Sequence, residues 1–229
     1  MADDNSHDPH DLTGRTALIT GASRGIGRAI AEELASHGCA VALAARSADT
    51  VQQAAEAIEQ SGGRAVAIAA DVTEDGAAER LVAETVSTLG GLDILINNAA
   101  IGDIIKPLTE LELDEWLQVI AVNLTGAFLF TREAARVMPD GSAIINIASQ
   151  AAKTGFRQMA PYVSSKHGMI GLTRTAAIDL APKGIRVNAV CPNHVTTAMG
   201  RAQSEYFSSL RGLDPETYRA QIAERVPLG

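Results

Sequence analysis

From Gly14 to Val190 the chain switches repeatedly between short apolar runs and longer stretches with helical spacing, and this alternation restricts its fold more than any other feature. The runs Thr16–Thr20, Ala40–Ala45, Ala65–Ala70, Asp93–Asn97, Ala143–Ala148 and Ile185–Cys191 have no regular polar alternation. They predict strands covered on both faces. Between them, Ile26–His37, Thr50–Gln60, a segment ending near Gly90, Asp114–Met138 and Pro161–Leu180 predict helices. Gly38 is placed to close the first of these, and Asp114 to N-cap the fourth. A strand that feeds a helix and then another buried strand makes right-handed crossovers, so the fold class is α/β, a doubly wound parallel sheet with helices on both faces.

A chain of 229 residues is long enough for one such domain, expected over 12–229, behind a flexible acidic leader at 1–11. No uninterrupted apolar run reaches the length of a membrane span, and the start has no signal-like apolar stretch, which predicts a cytoplasmic protein with no membrane partner. Cys39 and Cys191 fit a reduced pair. The net charge is −8 and no cluster of Lys and Arg occurs, which argues against a nucleic-acid partner. His7 and His10 are expected to belong to a solvated leader, so no metal site is predicted.

Ligands of such sheets bind beyond the carboxyl ends of the strands. The first of these loops reads Thr20-Gly-Ala-Ser-Arg-Gly-Ile-Gly27. Gly21, Gly25 and Gly27 allow a sharp turn and a close approach to a pyrophosphate, and the helix beyond offers free N–H groups to the anion. Ser23, Arg24 and Ile26 between them complete the candidate phosphate contacts. After the second strand, where NAD requires a carboxylate for the ribose 2′-OH, the chain has Arg46. With Arg24 it favours a 2′-phosphate, hence NADP(H); solvated surface arginines are the competing reading. Asp71, followed by Val72, is placed to meet the adenine amino group or to cap the next turn.

Tyr162 and Lys166 stand four residues apart at the start of a predicted helix, so they share one face. An ammonium beside a phenol lowers a pKa that is roughly 10 when free, bringing it toward the range of an acid–base catalyst.

The glycine loop, Asn97-Asn98-Ala99, Asn123, Ser149 and the Tyr162/Lys166 pair occur in an order and spacing that resembles the short-chain dehydrogenase/reductase family, from Leu12 to about Thr197. The resemblance implies a Rossmann-type fold and an NADP-dependent enzyme that interconverts a small-molecule carbonyl and its alcohol. Tyr162 would exchange the proton at the substrate oxygen and Ser149 would hydrogen-bond to it. Lys166 would lower the Tyr162 pKa and hold the nicotinamide ribose. Asn123 would anchor a water in the proton relay; bonding to nearby backbone is its alternative role. Asn97 and Asn98 match a turn that borders the cofactor and braces the sheet, and Val195 and Thr197 match the segment that contacts the nicotinamide carboxamide. The glycine loop also resembles that of 3-oxoacyl-carrier-protein reductases, a likeness shared with sugar, steroid and alcohol reductases.

Three positions depart from the family's pattern. Cys191-Pro-Asn-His194 replaces a Pro-Gly turn, where Asn193 would supply the positive φ and His194 falls near the nicotinamide, as a surface residue in preference to a pocket one. Ala100 stands where glycine is common. Val226-Pro-Leu-Gly229 comes where the family continues through another helix and a seventh strand that help build a homo-oligomer, dimer or tetramer, so the natural protein is expected to be longer. Residues 198–219 would form the substrate lid, where Tyr206, Phe207, Leu210 and Leu213 with Arg201 and Arg211 would suit an apolar substrate with some negative charge; a helix packing on its neighbours explains the same pattern and is the favoured reading. The rivals to an enzyme are a catalytically silent NADP(H) sensor, against which the complete Ser/Tyr/Lys set argues and for which the missing last helix and strand argue, and a scaffold with a decayed site, which predicts no nucleotide binding at all.

Overall fold

The computed structural model describes residues 10–224; His7 with most of the acidic leader, and Val226–Gly229, lie outside the described residues. Six strands, β1 (Thr16–Thr20), β2 (Ala40–Ala45), β3 (Arg64–Ala69), β4 (Ile94–Asn97), β5 (Ala143–Ile147) and β6 (Arg186–Val190), form one sheet in the order β3-β2-β1-β4-β5-β6. Every adjacent pair is parallel. The winding direction reverses between β1 and β4, so their carboxyl ends open a crevice at the switch point.

The helices are α1 (Gly25–Ser36), α2 (Ala48–Gln60), α3 (Ala77–Leu89), α4 (Leu113–Ile120), α5 (Gly126–Val137), α6 (Ala160–Leu180), α7 (Ala198–Ser209) and α8 (Pro215–Ala223). Alternate strand residues build two cores. Ala17, Ile19, Val41 and Leu43 pack with α1 and α2 on one face. Leu18, Ala42, Leu95 and Ile144 pack with α3, α5 and α6 on the other. The strands read as continuous apolar runs because both of their faces are buried this way. β6 lies at a sheet edge, and its Arg186, Asn188 and Val190 are exposed.

The sequence-based boundaries agree with these elements to within two residues for the strands and for most helices. Two differ in kind. The stretch expected as one helix from Asp114 to Met138 is α4, a π turn at Ala121–Thr125, and α5. Its N-cap is Glu112 and not Asp114; the Glu112 N–H donates to Glu115 Oε2 at 3.1 Å, and Asp114 sits in the first turn, where its charge still suits the helix dipole. Residues 198–219, expected as a lid, comprise α7, a tight turn containing Gly212 (φ +64°), and the first half of α8.

Among the described residues no helix is long and apolar enough to cross a membrane, and no group of three or more His, Cys, Asp or Glu is placed to hold a metal ion. Cys39 and Cys191 are unpaired thiols, and burial pushes Cys39 up to about 12.

Candidate active site

The sheet places the candidate residues on the loops that leave its carboxyl edge. Gly21, Ser23 and Arg24 follow β1 and lead into Gly25, Ile26 and Gly27 of α1; Arg46 follows β2, Asp71 and Val72 follow β3, Asn98 follows β4, Ser149 follows β5, and Val195 and Thr197 follow β6. The glycines are there for space. A Cβ on Gly27 would lie 2.6 Å from the Gly21 carbonyl oxygen, and one on Gly21 would lie 2.8 Å from the Ala99 Cα. Gly21 and Gly25 also have φ of +65° and +59°. Asn98 ties the loop down: its Nδ2 donates to the Thr20 and Gly21 carbonyls at 2.9 and 3.0 Å. This bracing is a structural duty for a residue expected among the cofactor contacts.

Helix α1 starts at Gly25 with no side-chain cap from Arg24 and no acidic residue in its first turn. Its leading N–H groups are therefore available to an anion. Thr197 comes close to this turn, because a Cβ on Gly25 would meet its Cγ2 at 3.2 Å. The Thr197 hydroxyl is itself used, accepting from Gly200 N at 3.1 Å as the N-cap of α7. Arg24 and Arg46 are exposed. At Asp71 one carboxylate oxygen accepts from the Thr73 N–H and hydroxyl, so the turn-capping role is filled. Burial works to raise the Asp71 carboxyl, but those hydrogen bonds and the Arg46 charge outweigh it and hold the group below its usual range.

At the other end of the crevice, α6 carries Tyr162 and Lys166 one turn apart. Lys166 is 2% exposed, and its Nζ donates to the Ile147 carbonyl at the end of β5 at 2.7 Å. The same ammonium lies 5.7 Å from the centroid of the Tyr162 ring. Burial brings Lys166 down to about 8, against a smaller opposite push from Cys191. Tyr162 departs from expectation. Burial raises its phenol above the ordinary value, and the Ser149 hydrogen bond offsets only part of this, so the protein holds a protonated phenol at neutral pH. Ser149 is fixed by its neighbours: its Oγ accepts from Ala151 N at 3.1 Å, and Gln150 N donates to the Pro192 carbonyl at 2.8 Å.

Asn123 is fully buried in the π turn. Its side-chain oxygen accepts from Ile101 N at 2.8 Å, and its Nδ2 donates to Ile101 O at 2.9 Å and to Ser165 Oγ at 3.1 Å. The amide thus clamps the loop after β4 onto α6, the backbone-bonding role of the two considered. Asn97 Nδ2 donates to Asn146 Oδ1 and Thr131 Oγ1 inside the core, which is a bracing role.

A cavity of about 400 Å³ opens on Ser149 and Tyr162 and runs past Phe156, Met159, His194 and Phe207 to Arg211, Tyr218 and Ile222. His194 is exposed, as expected for a loop residue, yet it lines this cavity, and its ring meets the Tyr218 ring edge-on at 6.2 Å. The Asn193 turn forms without positive φ; among the described residues the one non-glycine with that conformation is Gln158, at +62°. Gly102, Gln150, Gln203 and Gln158 escaped the sequence reading. A Cβ on Gly102 would meet the Tyr162 ring at 3.0 Å, and its carbonyl accepts from Gln203 Nε2 at 3.3 Å. Gln158 accepts a hydrogen bond from the Tyr206 hydroxyl. A glycine soon after a strand end was the one signal available for Gly102; nothing marked the glutamines.

The short chain dehydrogenase family model matches residues 15–206. The chain belongs to the short-chain dehydrogenase/reductase family. It is 40% identical over 207 residues to a 3beta-hydroxysteroid dehydrogenase of Mediterraneibacter gnavus, covering 90% of this chain and 72% of that protein. The structure is similar to a variant of the actinorhodin polyketide ketoreductase solved with NADPH, with a TM-score of 0.87 and 35% identity over 93% of this chain and 83% of that one. It is similar also to a xylitol dehydrogenase solved with NAD+, with a TM-score of 0.86 and 33% identity over 94% of this chain and 85% of that one. As a member of this family the protein is an oxidoreductase.

Proposed function

We propose that residues 12–229 work as a single NADP(H)-binding domain that reduces a ketone to a secondary alcohol, or runs the reverse reaction. The observation that carries this reading is the meeting of Ser149 and the protonated Tyr162 on one cavity, with the buried Lys166 one helical turn from Tyr162. The uncapped start of α1 suits a pyrophosphate, and the exposed cations Arg24 and Arg46, the latter directly after β2, suit a 2′-phosphate. Ser23, Ile26, Val72, Val195 and Thr197 are the remaining cofactor contacts in this reading. The cofactor supplies or accepts the hydride when it is bound.

Tyr162 gives its phenolic proton to the substrate oxygen, and Ser149 donates a hydrogen bond to that oxygen as charge develops. Lys166 steadies the phenolate left behind and holds the nicotinamide ribose hydroxyls with the hydrogens not spent on Ile147. Asn123 keeps the Ile101–Gly102 loop against the Tyr162 ring, and residues 198–219 close over the substrate. Exposed Leu113 and Leu117 on α4, Phe128 on α5 and Ile178 on α6 support a homo-oligomer, checked by light scattering.

NADPH consumption over a panel of ketones, aldehydes and acyl thioesters tests the reaction. Tyr162→Phe should lower the rate by roughly a hundredfold to ten-thousandfold while NADPH affinity is unchanged. Equal rates in the two proteins would overturn the assignment. NADPH binding without consumption of any carbonyl would establish the sensor instead.

A further inference from the structure

The cavity has a chemistry that Ser149 and Tyr162 do not explain. Part of its wall is apolar, from Phe156, Phe207 and Ile222, and no carboxylate lines it. One cation does: Arg211, in the turn after α7. Its guanidinium carbon sits 5.2 Å from the centroid of the Tyr218 ring, and Tyr218, at 6% exposure, is a fixed platform. Among the described residues no carboxylate lies within ion-pair distance of Arg211, as of most of the chain's arginines, but Arg211 alone among them lines this cavity. Stacking on an aromatic ring uses the face of a guanidinium and leaves its edge N–H donors for an in-plane, bidentate acceptor. Beside apolar walls such a pairing is stronger than in water.

We propose that this pocket selects substrates whose apolar, ring-sized body carries a carboxylate remote from the reacting carbonyl, and that Arg211 receives that carboxylate. The inference rests on the carbonyl reduction proposed above, since it takes Ser149 and Tyr162 as the reacting groups of the same cavity. An apolar body then spans between these groups and Arg211, and the cavity volume of about 400 Å³ leaves room for one.

The test compares 4-phenylcyclohexanone with 4-(4-oxocyclohexyl)benzoate, which differ only by the carboxylate. The wild-type protein should show kcat/KM at least about tenfold higher for the acid, mainly through KM. Arg211→Met, which keeps an unbranched stem on Tyr218, should erase that advantage and leave the neutral ketone unchanged, and Arg211→Lys should restore part of it. Equal treatment of both ketones by the wild type, or an equal loss on both in Arg211→Met, overturns the proposal. Calorimetry with the unreactive 4-cyclohexylbenzoate separates the two readings. Binding that weakens about tenfold in Arg211→Met, with no ketone consumed, would keep the anion site and sink the reductase. Turnover of both ketones with no such weakening would do the reverse.

Discussion

Replacing Gly27 with alanine asks α1 to hold a methyl group where the loop after β1 already sits. The new Cβ would lie 2.4 Å from Asn98 Nδ2, 2.6 Å from the Gly21 carbonyl oxygen and 3.1 Å from the Ala22 Cα. Two of the three are backbone, so the clash is not relieved by rotating a side chain. The start of α1 must move off the loop backbone, and Asn98, whose Nδ2 is also in the way, gives up its bonds to the Thr20 and Gly21 carbonyls. Overpacking of this kind costs about 1–3 kcal/mol, and carbonyls stripped of their donor add about 1–3 kcal/mol. Alanine's better helix propensity returns about 1 kcal/mol. The net loss is about 3 kcal/mol, or roughly 10 °C in Tm for a chain of this size.

Gly171→Ala provides the control. It lies in α6 on an exposed position with nothing within 4 Å of a built Cβ. There the propensity gain stands alone, and stability should rise by about 0.5–1 kcal/mol. Urea unfolding followed by circular dichroism, with both variants at one protein concentration, reads the two shifts. If Gly27→Ala matches or exceeds the wild type, the close approach of α1 to the loop is not a constraint and the reasoning fails.

Asn123→Ala removes three hydrogen bonds and leaves both Ile101 backbone groups unpaired, so it should cost about 2–4 kcal/mol in urea unfolding; a loss below about 0.5 kcal/mol would show that Asn123 is not a clamp. Arg46→Ala should raise the KM for NADPH about tenfold to a hundredfold and leave that for NADH nearly unchanged, and a parallel change in both would remove Arg46 from the 2′-phosphate site. Lys166 yields a pH prediction of definite sign. Its folded value of about 8 lies below the unfolded 10.5, so the charged lysine penalises folding below about pH 8 and the penalty fades as pH rises to 10.5. Measured against Lys166→Met, wild-type stability should therefore climb by about 3 kcal/mol between pH 8 and 10.5, and a flat difference would contradict the burial argument.

The parts of this protein that its sequence made legible are those in which local pattern and burial say the same thing. Ala40–Ala45 has no polar residue because both of its faces are covered, so the strand, its parallel partners and the site at their carboxyl ends follow from one observation. Tyr162 and Lys166 were legible for a similar reason, since a spacing of four becomes one helical face without help from the rest of the fold. The sign of the Tyr162 shift was not legible. A spacing of four brings the ammonium near but is silent on how deeply the phenol is buried. Depth depends on Gly102 from the loop after β4, which touches the ring from sixty residues away in the chain.

The substrate pocket was legible only as one of two readings of residues 198–219. Phe207 and Tyr218 fit helix packing as well as they fit a substrate wall, and periodicity cannot tell these apart when a residue does both. Tyr218 is buried against its own helices and still supports Arg211 and His194 at the cavity. A pattern read along one chain reports which residues leave water. Whether they leave it for the core or for a ligand is decided by elements that meet only in the folded protein, as α7 and α8 meet the loop after β5 here. The catalytic end of this site is thus written in short-range spacing, and its selectivity in long-range contact.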